Sequence, residues 1–148
     1  MSPSPFGQHQ FVLAELSRLM GNALIASQCQ AAPLVELDWI ISGDTVVRPD
    51  LMVVCGPIPE RHLEQPPSLI VEVLSDSTRQ NDLGYKRQLY HREQVQTYMI
   101  IDLAPRSVVV DRRQPDGSYD TKTVVDEVAI ILCDDCQISF SVASLFRD

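Results

Sequence analysis

The sequence predicts an α/β domain built on a mixed central β-sheet flanked by helices. Three observations carry that expectation: an amphipathic segment early in the chain, a short apolar run at 69–74 with the character of a strand covered on both faces, and a helical stretch directly after it that leads into further strands. With 148 residues the chain has the length of one domain. It carries no internal repeat, low-complexity tract or interdomain linker, so a single core over 1–148 is expected.

Phe11, Leu13, Leu16, Leu19, Met20 and Leu24 recur at helical spacing over about 8–26, with Glu15 and Arg18 facing outward, so the first element is a helix able to cover a sheet. Pro33 then resets the backbone. Residues 34–41 alternate as a strand that turns at Ser42-Gly43-Asp44 and returns over 46–55 as a hairpin. Pro49 interrupts the returning arm, because it has no N–H to donate and holds Arg48 extended; the regular part begins at Leu51, and Asp50 is presented at its irregular start. A loop containing Pro57, Pro59, Pro66 and Pro67 leads to the strand at 69–74. Ser77 and Gln80 have the spacing of a helix-capping box, for a helix that runs to about Arg92 with Leu83, Leu89 and Tyr90 on its inner side. Further strands are expected at 96–102, 107–113 and 119–125, the last two flanking the turn signal Pro115-Asp116-Gly117-Ser118. Strands at 128–132 and 138–140 and a short helix near Leu145 complete the order.

Glu72 interrupts the run Leu69-Ile70-Val71-Glu72-Val73-Leu74. Alternation puts it on the face of Ile70 and Leu74, where an ionised carboxylate left alone would cost several kcal/mol, roughly, or take up a proton. A metal ion or a lysine removes that penalty. A strand-end carboxylate that reaches water or pairs with an arginine would be the structural alternative if Glu72 stood alone. It does not: Asp50 stands at the start of the neighbouring strand and Lys86 on the helix that follows. Two acids on adjacent strands with a nearby lysine form a metal-nuclease arrangement. Hydrolysis of a phosphodiester calls for a hard cation, and Mg²⁺ takes carboxylates, carbonyl oxygen and water as ligands. Asp50 and Glu72 are the candidate ligands, and Lys86 would orient the attacking water and offset developing charge, or act as a base if its pKa is lowered. Asp82, four residues before Lys86, faces the same side of the helix and either pairs with it, reaches an outer-sphere water, or is a solvated acid in the first turn.

The formal charge of −8 works against nonspecific attraction to a polyanion, although Arg79, Lys86, Arg87 and Arg92 fall in one short segment while Asp126, Glu127, Asp134 and Asp135 gather later. Arg79 and Arg87 could grip backbone phosphate; exposed helix arginines are more often solvent-facing. No apolar run approaches the length of a membrane span, and residues 1–10 lack the basic start and apolar centre of a secretory signal, so a cytoplasmic location is expected. Cys133 and Cys136 have the gap of a zinc knuckle, but one knuckle is half a site, no second close pair accompanies it, and reduced, inert cysteines are expected. His62 and His91 have no evident partner. Ser75, Ser77 and Thr78 lack a glycine-flanked elbow or a paired base, which favours capping over nucleophilic roles. Gly84 inside a helix costs about 1 kcal/mol against alanine and would admit a close neighbour.

The order of these pieces resembles the PD-(D/E)xK phosphodiesterase superfamily, whose core is a helix, three strands, a second helix and another strand. More closely, Arg48-Pro49-Asp50, Val71-Glu72-Val73-Leu74-Ser75 with Ser77-Thr78, Asp82 and Lys86, then Tyr90, Val95, Tyr98 and Ile101-Asp102, resemble the restriction-endonuclease-like Uma-two family, and the likeness extends from Ser4-Pro5 and His9 to Leu145-Phe146. The resemblance implies a restriction-endonuclease-like core and an endonuclease that uses Mg²⁺, or Mn²⁺, to cut duplex DNA as a homodimer, leaving a 5′-phosphate. It implies catalytic roles for Asp50, Glu72 and Lys86, a metal shell of Asp50, Glu72 and the main-chain carbonyl of Val73, and a place for His9 near the site as a phosphate contact. The usual superfamily lysine stands two residues after the glutamate, where this chain has Leu74, so the resemblance implies that Lys86 has taken over from the helix. It also implies a further segment ahead of the Ser-Pro stretch. A noncatalytic nuclease-fold module that binds nucleic acid or a protein is the alternative, and hydrolysis of RNA or another phosphate ester shares the same chemistry.

Overall fold

The computed structural model describes residues 7–76 and 78–148. Helix α1 spans Gly7–Ala26 and is followed by strands β1 (Ala31–Val35), β2 (Trp39–Ser42), β3 (Thr45–Val47), β4 (Leu51–Cys55) and β5 (Leu69–Val73). Helices α2 (Arg79–Leu83) and α3 (Tyr85–Arg92) come next, then β6 (Thr97–Leu103), β7 (Arg106–Arg113), β8 (Tyr119–Val124), β9 (Glu127–Leu132), β10 (Cys136–Ser141) and a closing 3-10 turn at Val142–Leu145. The main sheet has six strands in the order β1-β4-β5-β6-β7-β8; β5 and β6 are parallel and every other pair is antiparallel. This is the mixed sheet the sequence predicts.

Each face of the sheet is covered by its own apolar layer. Val12, Leu16, Met20 and Leu24 of α1 pack with Leu51, Val53, Leu69, Val71, Val73, Met99 and Ile101, and the β9–β10 hairpin joins this layer through Val128, Ile130, Ile138 and Phe140. On the opposite face Leu89 and Tyr90 of α3 and Trp39 of the β2–β3 hairpin pack on Met52, Ile70, Tyr98 and Ile100. The strand β5 is therefore interior and buried along its whole length, and Glu72 points to the α3 side with Ile70.

Four local expectations change. The expected hairpin over 34–55 is two strand pairs: Glu36 adopts a left-handed backbone (φ 52°) that turns the chain after β1, so β1 joins β4 while β2 and β3 form a separate hairpin. Pro33, expected before the first strand, lies inside β1. It is tolerated because β1 is an edge: the Glu36 N–H meets the Asp50 carbonyl, so even-numbered amides face β4 and the Pro33 nitrogen faces away. The helix expected to run to Arg92 is broken at Gly84 (φ −110°, ψ −94°), where a Cβ would stand 2.7 Å from the Gln80 carbonyl oxygen; the break turns Leu83 outward rather than inward. Of the capping box, Ser77 lies outside the described residues, as do Ser4 and Pro5, and Thr78 at the cap position makes no side-chain capping bond. Finally, the cysteines are paired, Cys29 with Cys136 and Cys55 with Cys133. The fold brings the tip of the β9–β10 hairpin against the ends of α1 and β4, partners 107 and 78 residues away that spacing along the chain could not reveal.

Candidate active site

The site forms where β4 begins and β5 ends. Asp50 precedes Leu51 of β4, which lies opposite Val71 of β5, so Asp50 comes beside Glu72 and Val73. The two segments are cross-latched: the Asp50 N–H donates to Glu72 Oε1 at 2.9 Å, and the Val73 N–H donates to Asp50 Oδ2 at 2.8 Å. Because the N–H and C=O of a strand residue point the same way, the Val73 carbonyl faces the Asp50 side as well. From α3, Lys86 Nζ reaches Glu72 Oε2 at 3.1 Å and Asp82 Oδ1 at 3.0 Å. The Tyr90 hydroxyl donates to Glu72 Oε2 at 3.3 Å, and the Tyr98 hydroxyl to the Asp82 carbonyl at 2.9 Å. His9, near the start of α1, places Nε2 3.6 Å from Asp50 Oδ2. Asp50, Glu72, Val73, Lys86, Asp82 and His9 are thus brought together.

The break at Gly84 leaves Asp82 and Lys86 on the inward side, and Asp82 is buried rather than solvated. Burial pushes the Glu72 carboxyl up to about 7; Lys86 works against that rise, while Asp50 and Asp82 add to it. Burial raises Asp82 in the same way, against the opposing pull of Lys86. For Lys86, burial favours the neutral amine, but Glu72 and Asp82 outweigh it and its pKa is raised, so the group holds its proton. The neighbouring Asp50 carboxylate raises His9 despite its burial.

Glu72 and Asp82 share one ammonium, and Asp50 beside them has, among the described residues, only His9 within 4 Å as a basic partner, an excess of acid that a cation would relieve. Among the described residues no three His, Cys, Asp or Glu side chains converge at ligating distance. A cation here would be held by the Asp50 and Glu72 carboxylates, the Val73 carbonyl and water, a donor set that fits Mg²⁺ or Mn²⁺ and would not suit a soft metal.

Arg79 and Arg87 are not free for phosphate. Arg79 makes a two-point contact with Asp102 at 3.0 and 3.2 Å, at the rim of the site. Arg87 is bidentate on Asp111 at 2.6 Å, and the same buried carboxylate accepts from Thr121 at 2.7 Å and lies 2.8 Å from His91 Nε2. His91 therefore has a partner, and so does His62, 3.1 Å from Glu64. Sequence reasoning missed Asp111, whose signal is weaker than that of Glu72: it ends the apolar run Val108-Val109-Val110 of β7 and is followed by Arg112 and Arg113, as an ordinary strand end would be. Tyr98, which closes the Asp82 side, stands in the sequence only as one residue of the family resemblance, with no role attached to it.

A family model described as "Uma2: Putative restriction endonuclease" matches residues 1–143. "Uncharacterized protein slr1290" of Synechocystis sp. (strain ATCC 27184 / PCC 6803 / Kazusa) is 28% identical over 114 residues, which cover 75% of this chain and 60% of that protein. The chain thus spans about 60% of the length of the curated relative it matches. Among solved structures, "a putative nuclease belonging to DUF820 from Anabaena variabilis ATCC 29413" superposes with a TM-score of 0.76 and 21% identity, over 99% of this chain and 84% of that one. At that identity the likeness speaks for the fold.

Proposed function

The chain belongs to the Uma2 family of restriction-endonuclease type, and from that premise we propose that it is a Mg²⁺-dependent endonuclease that hydrolyses duplex DNA, with Mn²⁺ able to replace Mg²⁺. The observation that carries the reading is the buried Glu72 carboxylate, latched to Asp50 on one oxygen and bound by Lys86 on the other. A carboxylate that burial pushes towards protonation, next to a second acid, is costly in a purely structural role and well suited to a cation.

In this reading Asp50, Glu72 and the Val73 carbonyl would hold the cation, which would supply charge neutralisation at the phosphoryl oxygens and lower the pKa of water at the site. Glu72 and Asp82 raise the Lys86 pKa, and the ammonium would orient the attacking water and offset the developing negative charge. Asp82 holds Lys86 in place from the far side, and His9 fixes the Asp50 carboxylate. Water adds across the P–O3′ bond and leaves a 5′-phosphate and a 3′-hydroxyl. Arg79 at the rim contacts the substrate only by giving up Asp102, and Arg87 serves α3 rather than DNA. A homodimer would supply two such sites for two strands, and β8, which ends the sheet with an outward row of polar residues, is the edge available for it. We place the activity in the cytoplasm with its DNA; among the described residues no helix is long and apolar enough to cross a membrane.

The decisive experiment incubates supercoiled plasmid and Mg²⁺ or Mn²⁺ with the parent, Asp50→Ala and Lys86→Ala. Nicking by the parent alone supports the enzyme; equal nicking by all three refutes the assignment of these residues. Absence of nicking by any favours the noncatalytic binding module, a second reading supported by the charge of −8 and by the commitment of Arg79 and Arg87 to carboxylates.

A further inference from the structure

The four cysteines come from three distant points of the chain and meet at one end of the molecule. Cys133 and Cys136 bracket the tip of the β9–β10 hairpin with two residues between them. Cys55 ends β4 directly opposite Ala31 of β1. The Gly56 N–H holds the Gln30 carbonyl at 2.7 Å, which keeps the two chains together beyond the strand ends. Cys29 is thereby a diagonal neighbour of Cys55, a relation that places Cα atoms roughly 7–8 Å apart in a regular antiparallel pair. The disulfides Cys29–Cys136 and Cys55–Cys133 cross between the two pairs, each with its Cα atoms 5.8 Å apart. The second close pair absent from the sequence pattern is supplied by the fold.

We propose that these four sulfurs, once reduced, form a structural zinc site, a tetrahedral centre made of Cys29, Cys55, Cys133 and Cys136. A Cys-x-x-Cys turn on a hairpin and two cysteines from an adjoining strand pair are the two halves such a centre needs. Zn–S bonds of about 2.3 Å in a tetrahedron set the sulfurs about 3.8 Å apart. Side-chain rotation can open each sulfur pair to that distance from Cα positions already 5.8 Å apart. Cys133 and Asp134 are consecutive left-handed residues (φ 53° and 70°), the geometry of a tight hairpin turn, which fixes the spacing of Cys133 and Cys136. Access is open, since Cys55 is exposed, the other three are half-buried, and Cys55 and Cys133 line a surface cleft of about 960 Å³.

The redox balance is explicit. A dithiol or phosphine reductant gives each disulfide two electrons, and with two protons each becomes two thiols. Zn²⁺ then displaces the thiol protons as the thiolates coordinate. With the sulfurs bonded to one another no such site exists, so the disulfide form and the zinc form are exclusive states of the same residues. A reducing cytoplasm would favour the second. Nothing in this inference depends on Asp50, Glu72 or Lys86.

The test uses the whole protein, reduced anaerobically with a phosphine and titrated with Co²⁺ and then Zn²⁺. The expected result is one cobalt per chain with sulfur-to-cobalt charge-transfer and tetrahedral visible bands, displaced by zinc. Those bands are lost in the oxidised protein and in Cys55→Ser and Cys133→Ser. Cobalt held by the Asp50–Glu72 carboxylates gives no sulfur band, which separates the two sites. A reduced protein that keeps its circular dichroism but develops no such bands overturns the proposal, as does their persistence in both serine variants. If the reduced, metal-free chain unfolds, refolding on one equivalent of zinc supports the site and failure to refold overturns it.

Discussion

Removing the charge of Glu72 should make the metal-free protein more stable, and the gain should depend on pH in a defined direction. The side chain is 2% exposed, and its carboxyl is pushed up from 4.5 to about 7 by burial, with Lys86 opposing and Asp50 and Asp82 reinforcing the rise. The folded value lies above the unfolded one, so the stabilising contribution of the protonated carboxyl is fully present below 4.5 and is lost as pH rises through about 7. At 1.36 kcal/mol per pH unit the ionised carboxylate costs the fold about 3 kcal/mol at about pH 8, shrinking to about 1 kcal/mol near pH 5.5. That cost is already net of the Lys86 contact; glutamine is neutral throughout but sets an amide nitrogen or a weaker acceptor against the Lys86 ammonium, so Glu72→Gln should gain about 1–3 kcal/mol at about pH 8. That corresponds to a melting temperature roughly 2–12 °C higher for a domain of this size. Thermal melts in chelator at both pH values test this. Mg²⁺ in hundredfold excess over its dissociation constant should raise the parent by about 2.7 kcal/mol and leave the variant nearly unchanged. A variant that melts at or below the parent at the higher pH, or a gap that does not shrink on acidification, would refute the reasoning that burial and like charge strain this carboxylate.

The remaining expectations concern the supports of the site. Lys86→Met leaves Glu72 and Asp82 without their cation; it should cost about 1–3 kcal/mol at about pH 8 and clearly less at about pH 5.5, in the same chelated melts. Asp111→Asn removes the charged partner of Arg87; burial is the largest single influence on Asp111 and raises it, but the hydrogen bonds of Arg87, Thr121 and His91 with the Arg87 charge together outweigh it and hold the carboxyl below the usual range. Urea denaturation should show a loss of about 2–4 kcal/mol, and a loss under about 0.5 kcal/mol would mean that the clamp does not hold α3. Gly84→Ala should destabilise by about 1–2 kcal/mol, because the new Cβ meets the Gln80 carbonyl at 2.7 Å. Helix propensity alone predicts the opposite sign, about 1 kcal/mol of gain, so the melt decides between them.

The parts of the site legible in the sequence were those that violate a local rule. Glu72 breaks an apolar strand, Pro49 forces an irregular strand start that presents Asp50, and Lys86 lies one turn beyond Asp82 on a helix. Asp111 breaks no such rule, since it stands where an apolar run gives way to Arg112 and Arg113, and its partners Arg87, His91 and Thr121 arrive from α3 and β8. The order of helices and strands was legible from periodicity, whereas the split of the expected hairpin depends on a single left-handed residue, Glu36, that no propensity marks. The disulfides were illegible for a different reason. Cys29 and Cys55 read in the sequence as ordinary reduced thiols until the β9–β10 hairpin folds back over the end of α1, a contact of high sequence separation. Gly84 was visible as an anomaly, but only the backbone shows that it redirects Asp82 inward and Leu83 outward.

The amide of Val73, aimed at the Asp50 carboxylate rather than at a neighbouring strand, gives the protein an intrinsic spectroscopic probe. In a nitrogen-15 correlation spectrum that one resonance senses the electron density on Asp50 directly, while its sequence neighbour Leu74, whose N–H goes to the Ile101 carbonyl, senses only the sheet. An ion drawn onto Asp50 should shift the first peak and spare the second. Occupancy can thus be followed without substrate, label or turnover.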